Sequence, residues 1–467
     1  MHNSKVVQLL FGGETPGFVA FFRIALLRLA LAYPLCAVFS NSATDVCELL
    51  LIVFWLLGGN WRGKYEIVKN SPILLVSTLF MIISFVGVFQ YEESFWASLK
   101  YWRGHHPIPI LIILATTLTS NRNRILMFNS LSFALFAAIA YSICVMKIPG
   151  FEFLKSLKPA HIAKNSIWFG MSLVLLGGLW ICVPFLSRLN PYFRPFLPAS
   201  TRRSLRCAAR LSLYDYLQSF YRNAPQVHFF VLLRFSAVFF STFYIFGMNP
   251  SRTAWISSLA GTTLLLLLWD WKKGTLIALL LATCLISFAM FFSPIFQYKA
   301  RLTNSEISQF VETNLLGEGE EKPAAHARLR LYWYFAEDIA KNPFGVGMEK
   351  TRSRCLYFSH GKLDNCHSEF VSIAMQSGWH GLACFLVWFF FLFRGSWQLA
   401  SPWKQLGLYI SMTLFLACMF NGALSQDMES HTYCIAIAVI VSLRNADARS
   451  QAPVQRVTGQ TDSTRIL

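Results

Sequence analysis

Charge is what this sequence has least of. Only 14% of its 467 residues are charged, against roughly 25% in soluble domains, which argues against an ordinary water-soluble globular chain. No CxxC pair and no Cys/His spacing suited to a metal is present, so zinc fingers and related sites are not expected. Walker A, GxSxG and HExxH signatures are missing as well. The common devices for nucleotide phosphates, serine nucleophiles and catalytic zinc are therefore not expected. There is no internal repeat of solenoid type. The opening MHNSKVVQLLFGGETPGF lacks the pattern of a cleavable signal, and the first apolar run is expected to serve as an uncleaved anchor.

In place of charge stands apolar bulk: 55% of the chain is hydrophobic, with 43 Phe and 14 Trp. These residues cluster in runs close to the about 17–25 residues that cross a bilayer. The runs lie near 17–39, 44–58, 72–90, 107–119, 125–145, 166–186, 228–247, 254–269, 275–293, 379–393, 405–421 and 431–443. The expected fold class is all-α, a polytopic transmembrane helical bundle of about 12 spans. It divides into 1–293, holding spans one to nine and a basic loop at 187–227, then 294–378, a large outer loop with interfacial helices and the candidate catalytic helix. Spans ten to twelve follow at 379–443, and 444–467 forms a disordered tail.

Lys and Arg in the short connections set the orientation. WRGKYEIVKN, SNRNR, DWKKGT, the tail and the 187–227 loop with its arginines at 202, 203, 206 and 210 fall on one face if the N-terminus is cytoplasmic. Beside a span, that Arg cluster reads as an orientation signal facing anionic lipid rather than as a nucleic-acid site. Of the 41 Lys and Arg, 21 lie inside, 17 outside and three within spans. Ten of the outer ones sit in 294–366, and long loops translocate regardless of charge. Topology signalling therefore leaves these outer cations unexplained.

Within that loop, HARLRLYWYFAEDIAKNPFGVG places Leu329, Tyr332, Trp333, Ala336 and Ile339 at spacings of three and four, one face of a helix. Asn342-Pro343 is expected to stop it, and Gly345 and Gly347 to permit a tight turn. Arg328 and Arg330 open the helix, and Arg352 and Arg354 follow its turn in KTRSR. Guanidinium forks grip phosphate bidentately, so these clusters suit either a phosphate-bearing ligand or lipid headgroups. Arg252 in MNPSRTAW stands where a span begins, as a functional group or as a snorkelling one. The stretch DNCHSEFVSIAMQSGWHG (364–381) begins a helix with Asp364 or Asn365 as its expected N-cap and His367 in the first turn. There the helix dipole would keep imidazole neutral, able to act as a general base; the plainer alternative is an interfacial histidine with a satisfied hydrogen bond. Gly378 and Gly381 bracket a turn, so the helix 366–377 is expected to dip inward before the span at 379–393. Nine of the 11 cysteines fall in spans or the inner loop; Cys355 and Cys366 share the outer loop, where an oxidising compartment would favour a disulfide, with two free thiols as the alternative.

Arg328, Trp333, the run Pro343-Phe-Gly-Val-Gly347, His367-Ser-Glu369 and Gly378-x-x-Gly381, in this order, resemble the O-antigen ligase and polymerase superfamily of bacterial inner-membrane glycosyltransferases. SRTA at 251–254 is similar to that family's short Ser/Thr-Arg motif, and Asp427 falls where members often carry an acidic residue. Ser368 departs from the Asn that many members have after the histidine. The resemblance implies transfer of a glycan from undecaprenyl diphosphate on the periplasmic face, without metal or nucleotide cofactor. The acceptor is a sugar of lipid A–core in the ligase branch, and a second lipid-linked repeat unit in the polymerase branch. It further implies His367 as base, with Arg252 and Arg328, joined by Arg330, Arg352 or Arg354, on the diphosphate. Glu369 or Asp427 would orient the base, and direct attack would invert the anomeric centre. The ligase branch is preferred on the compact outer loop and span count. A transporter of lipid substrates is the alternative of a different class, disfavoured because the polar constellation is concentrated at one face rather than near the midplane.

Overall fold

The computed structural model describes residues 17–86, 107–147, 251–269, 271–294, 324–358, 366–400, 403–422, 424 and 427–451, with isolated positions between 297 and 308. The expected spans at 166–186 and 228–247 and the basic loop 187–227 lie outside the described residues, as do Asp364 and Asn365. Every regular element among the described residues is an α-helix: α1 (Gly17–Phe39), α2 (Asn41–Leu57), α3 (Trp61–Lys69), α4 (Pro72–Val86), α5 (Pro107–Thr117), α6 (Asn121–Lys147), α7 (Arg252–Trp269), α8 (Trp271–Phe292), α9 (Ala324–Lys341), α10 (Met348–Phe358), α11 (Glu369–Trp397), α12 (Trp403–Phe420) and α13 (Asp427–Gln451).

Local chemistry sets several boundaries. Ser40 caps α2, its hydroxyl accepting from the Ala43 amide at 3.2 Å. Beyond α2, Gly59 and Asn60 take left-handed φ of 59° and 57°, and α3 leaves at 110° to α2. Proline occupies the first helical position of α4 and α5, where its missing amide hydrogen has no intrahelical partner to lose. Arg124 is buried and joins three elements by donating to the carbonyls of Leu118 at 3.0 Å and Thr119 at 2.9 Å and to the Ser442 hydroxyl at 3.2 Å.

Three helices among the described residues are long and apolar enough to cross a membrane, namely α1, α11 and α12, and α2 with α3 would make a fourth, bent one. The remaining apolar helices, α4, α5 and parts of α8 and α13, are shorter, so the described residues supply fewer spans than the hydropathy runs suggest.

The centre of the bundle is α13. Every residue from 430 to 443 is buried, as in a helix enclosed on all sides. Around it pack α1, α5, α6 and α12. The helix continues to Gln451, so residues 444–451, expected in a disordered tail, extend α13 instead. Helices α4 and α11 are joined by Trp388, whose indole donates to Ser77 Oγ at 2.9 Å. Gly261 lets α7 approach α12 closely: a Cβ there would sit 2.6 Å from the Tyr409 ring.

A second, smaller core lies in the expected outer segment. Leu331, Phe335 and Ile339 of α9 meet Val346, Cys355, Cys366, Ala374 and Met375. This corrects the expected face of α9: Trp333 is 69% exposed and Ala336 faces outward with it, while Leu331, Phe335 and Ile339 point in. Both sets satisfy the helical period. Packing against α10 and α11 selects the one whose aliphatic and phenyl groups fill the small core, leaving the amphipathic indole outside.

Candidate functional site

Helix α9 ends at Lys341, where Asn342 and Pro343 stop it as expected; the Asn342 amide donates to the Asp338 carbonyl at 2.9 Å. Gly345 and Gly347 then adopt φ of 87° and 82°, a region that glycine enters without steric cost. The turn they form docks on a break in α11. Gly378 there has φ 66° and ψ −164°, a conformation essentially confined to glycine. The break frees helical carbonyls and an amide, and the turn takes them up. Val346 donates to the Met375 carbonyl at 2.7 Å, Gly347 to the Gln376 carbonyl at 3.1 Å, and Trp379 to the Pro343 carbonyl at 2.9 Å. Helix α11 is thus a short segment, 369–377, followed by a span-length one.

The N-terminus of that short segment differs from the sequence expectation. The helix begins at Glu369 with Ser368 as its N-cap residue, φ −153° and ψ 124°, rather than at Cys366 behind Asp364 or Asn365. His367 therefore precedes the helix instead of occupying its first turn. It takes φ 48°, unusual for a residue with a side chain. Its ring is half-buried, with Nδ1 shielded from solvent.

Each residue of the His-Ser-Glu run is tied to a different element. The Tyr332 hydroxyl on α9 donates to the His367 carbonyl at 3.0 Å. Ser368 Oγ donates to the Cys418 carbonyl of α12 at 3.5 Å. Glu369, 1% exposed, accepts the Leu424 amide at 3.3 Å, three residues before α13 starts at Asp427. A carboxylate in the first turn is also favoured by the helix dipole.

The cationic candidates are distributed over neighbouring elements. Arg354 pairs with Asp338, tying α10 to α9, so its guanidinium is partly committed within the protein. Arg352 is exposed on α10. Arg328 and Arg330 lie in the first half of α9, and Arg328 stands one helical turn before Tyr332. Arg252 is the first residue of α7, behind buried Ser251, whose Oγ accepts the Ala254 amide at 3.2 Å. The side chains of Arg252, Arg328, Arg330 and Asp427 lie outside the described atoms. Cys355 and Cys366, both buried, bring their sulfurs to 3.2 Å as two thiols in contact.

The helical period marks Tyr332 only as an apolar face residue, and no motif marks Asp338. Tyr33, Glu48 and His431 form a buried cluster: the Tyr33 hydroxyl lies 2.6 Å from Glu48 Oε1 and 2.6 Å from His431 Nδ1, and that nitrogen lies 3.1 Å from the same carboxylate oxygen. Glu48 and His431 inside apolar runs were the available signal, since ionisable groups there demand partners. Among the described residues, no group of three His, Cys, Asp or Glu is placed to hold a metal ion.

No curated protein matches the chain. Residues 237–386, running from before α7 to within α11 and so including Arg252, the four arginines of α9 and α10, and the His-Ser-Glu run, match the family model described as O-antigen ligase. On that match, the segment holding the candidate site is an O-antigen ligase family segment.

Proposed function

We propose that this protein is an O-antigen ligase of the bacterial inner membrane, acting at the periplasmic face. The family segment supports a glycosyltransferase of the ligase and polymerase type with lipid-linked glycan substrates. The finer reading is that it moves O-antigen glycan from undecaprenyl diphosphate to a sugar of lipid A–core and completes lipopolysaccharide. Such a donor carries its leaving group already, so catalysis requires stabilising the departing diphosphate and removing a proton from an acceptor hydroxyl.

The observation that carries this reading is the setting of His367. It lies in the matched segment, outside the helix, half-buried, with its backbone fixed by α9 and the next two residues fixed by α12 and the Leu424 amide. An imidazole held this way can accept the acceptor's proton as its oxygen attacks the anomeric carbon, with inversion. Arg252 and Arg328 would hold the diphosphate, with Arg330 and Arg352 nearby in the chain; Arg354, engaged by Asp338, would help to set α10. Glu369 accepts the Leu424 amide on one carboxylate oxygen and so sets the approach to α13, and Glu369 or Asp427 would orient the base.

The test is His367→Ala in purified, reconstituted protein supplied with undecaprenyl-diphosphate glycan and lipid A–core, in excess chelator and without nucleotide. Insertion and folding are expected to be normal and transfer to be abolished. Transfer near the parent rate would remove His367 as the base. Joined repeat units on the carrier, with none on lipid A–core, would assign the polymerase branch instead.

A further inference from the structure

We infer that Tyr332 is a positioning residue for His367, acting through its hydroxyl rather than its ring. This rests on the reading of His367 as the base. An L-residue in the left-handed region costs roughly 1–2 kcal/mol, and His367 has φ 48°. Such a conformation persists where surrounding structure over-determines it. The Tyr332 hydroxyl does so directly: by donating to the His367 carbonyl at 3.0 Å it pins the peptide plane between His367 and the extended Ser368.

The hydroxyl is not needed to seat α9. Leu331 and Phe335 of that helix are fully buried and Ile339 nearly so, filling the small core, whereas Tyr332 is half-buried beside them. What the hydroxyl adds is a fixed distance between two parts of the site. Arg328 stands one helical turn before Tyr332, so the bond that fixes the His367 backbone also spaces it from the Arg328 turn. Base and phosphate-holding helix are thereby placed in one step.

Tyr332→Phe keeps the ring and removes the hydroxyl that donates to the His367 carbonyl. In the full-length protein, His367 modification by diethyl pyrocarbonate, read by peptide mass spectrometry, reports its setting without reference to activity. Once the peptide plane is released, the modification is expected to run severalfold faster. Turnover is expected to fall about tenfold, equivalent to about 1.4 kcal/mol of barrier, with the donor KM and the thermal unfolding midpoint close to those of the parent. Ile339→Val, which loosens the same packing without touching the hydroxyl, is expected to alter neither rate. An unchanged modification rate in Tyr332→Phe overturns the inference whatever the turnover, and so does equal acceleration by Ile339→Val. Faster modification with parental turnover would leave the positioning intact and overturn the role of His367 as base.

Discussion

Gly345 and Gly378 meet backbone to backbone: a Cβ on Gly345 would lie 2.6 Å from the Gly378 nitrogen, and one on Gly378 would lie 2.2 Å from the Pro343 carbonyl oxygen. Neither contact has a flexible side chain that could yield. Gly378→Ala is expected to lose at least about 1–3 kcal/mol from backbone strain alone, and more from the clash. It should separate the 343–347 turn from α11 and lower transfer by displacing the short segment behind His367. The control is Gly17→Ala, where nothing stands within 4 Å; thermal unfolding in detergent that is equal for the two variants would count against the docking.

Arg252 and Arg328 are expected to act through the guanidinium fork. Lys at either position keeps the charge and loses the bidentate grip, at a cost of roughly 2 kcal/mol or more in transition-state stabilisation. In kinetics this is a fall of roughly 30-fold in kcat/KM for the donor. Normal activity in both Lys variants would make these arginines lipid anchors.

Cys355 and Cys366 are expected to be joined in the native membrane. Their sulfurs lie 3.2 Å apart in a buried setting, between the α10 helix that carries Arg354 and the residue before His367. In the chain-entropy model, closing a loop of this size contributes about 3 kcal/mol. Mass spectrometry of non-reduced peptides, from protein alkylated before lysis, should yield the linked pair. Full alkylation of both thiols would show that the small core packs around free cysteines.

Glu48 and His431 are expected to be energetically coupled. Their atoms lie 3.1 Å apart, with both side chains buried and the Tyr33 hydroxyl against each. Glu48→Ala or His431→Ala should each cost roughly 3 kcal/mol by leaving one member of a buried pair behind. Replacing both together should cost clearly less than the two single losses added. Strict additivity in unfolding measurements would show that the cluster is a set of independent contacts.

Much of this architecture was legible in advance because it depends on local chemistry. The Asn342-Pro343 stop and the Gly345 and Gly347 turn are found at the expected places, and among the described residues the apolar runs near 17–39, 379–393 and 405–421 are helices long and apolar enough to cross a membrane. Each follows from the properties of a few adjacent residues, and such properties do not change when the chain folds. The order of Arg, His, Glu and Gly motifs was likewise visible, and the match over 237–386 agrees with it.

Where local rules allowed two answers, neighbours chose. The period of α9 fits two faces, and only α10 and α11 decide that Leu331, Phe335 and Ile339 turn inward while Trp333 turns out. The start of α11 could follow any of several capping residues. Ser368 takes the position while its hydroxyl turns to Cys418 and Glu369 reaches Leu424, and both partners are distant in sequence. Sequence alone determined that this is a helical chain with runs apolar enough to cross a membrane and a His-Ser-Glu run at the start of a broken helix, because periodicity, hydropathy and glycine need no partner. Only the tertiary structure decided that His367 stands outside that helix in a left-handed conformation with Tyr332 on its carbonyl, because a costly backbone state exists only where groups from elsewhere in the chain hold it.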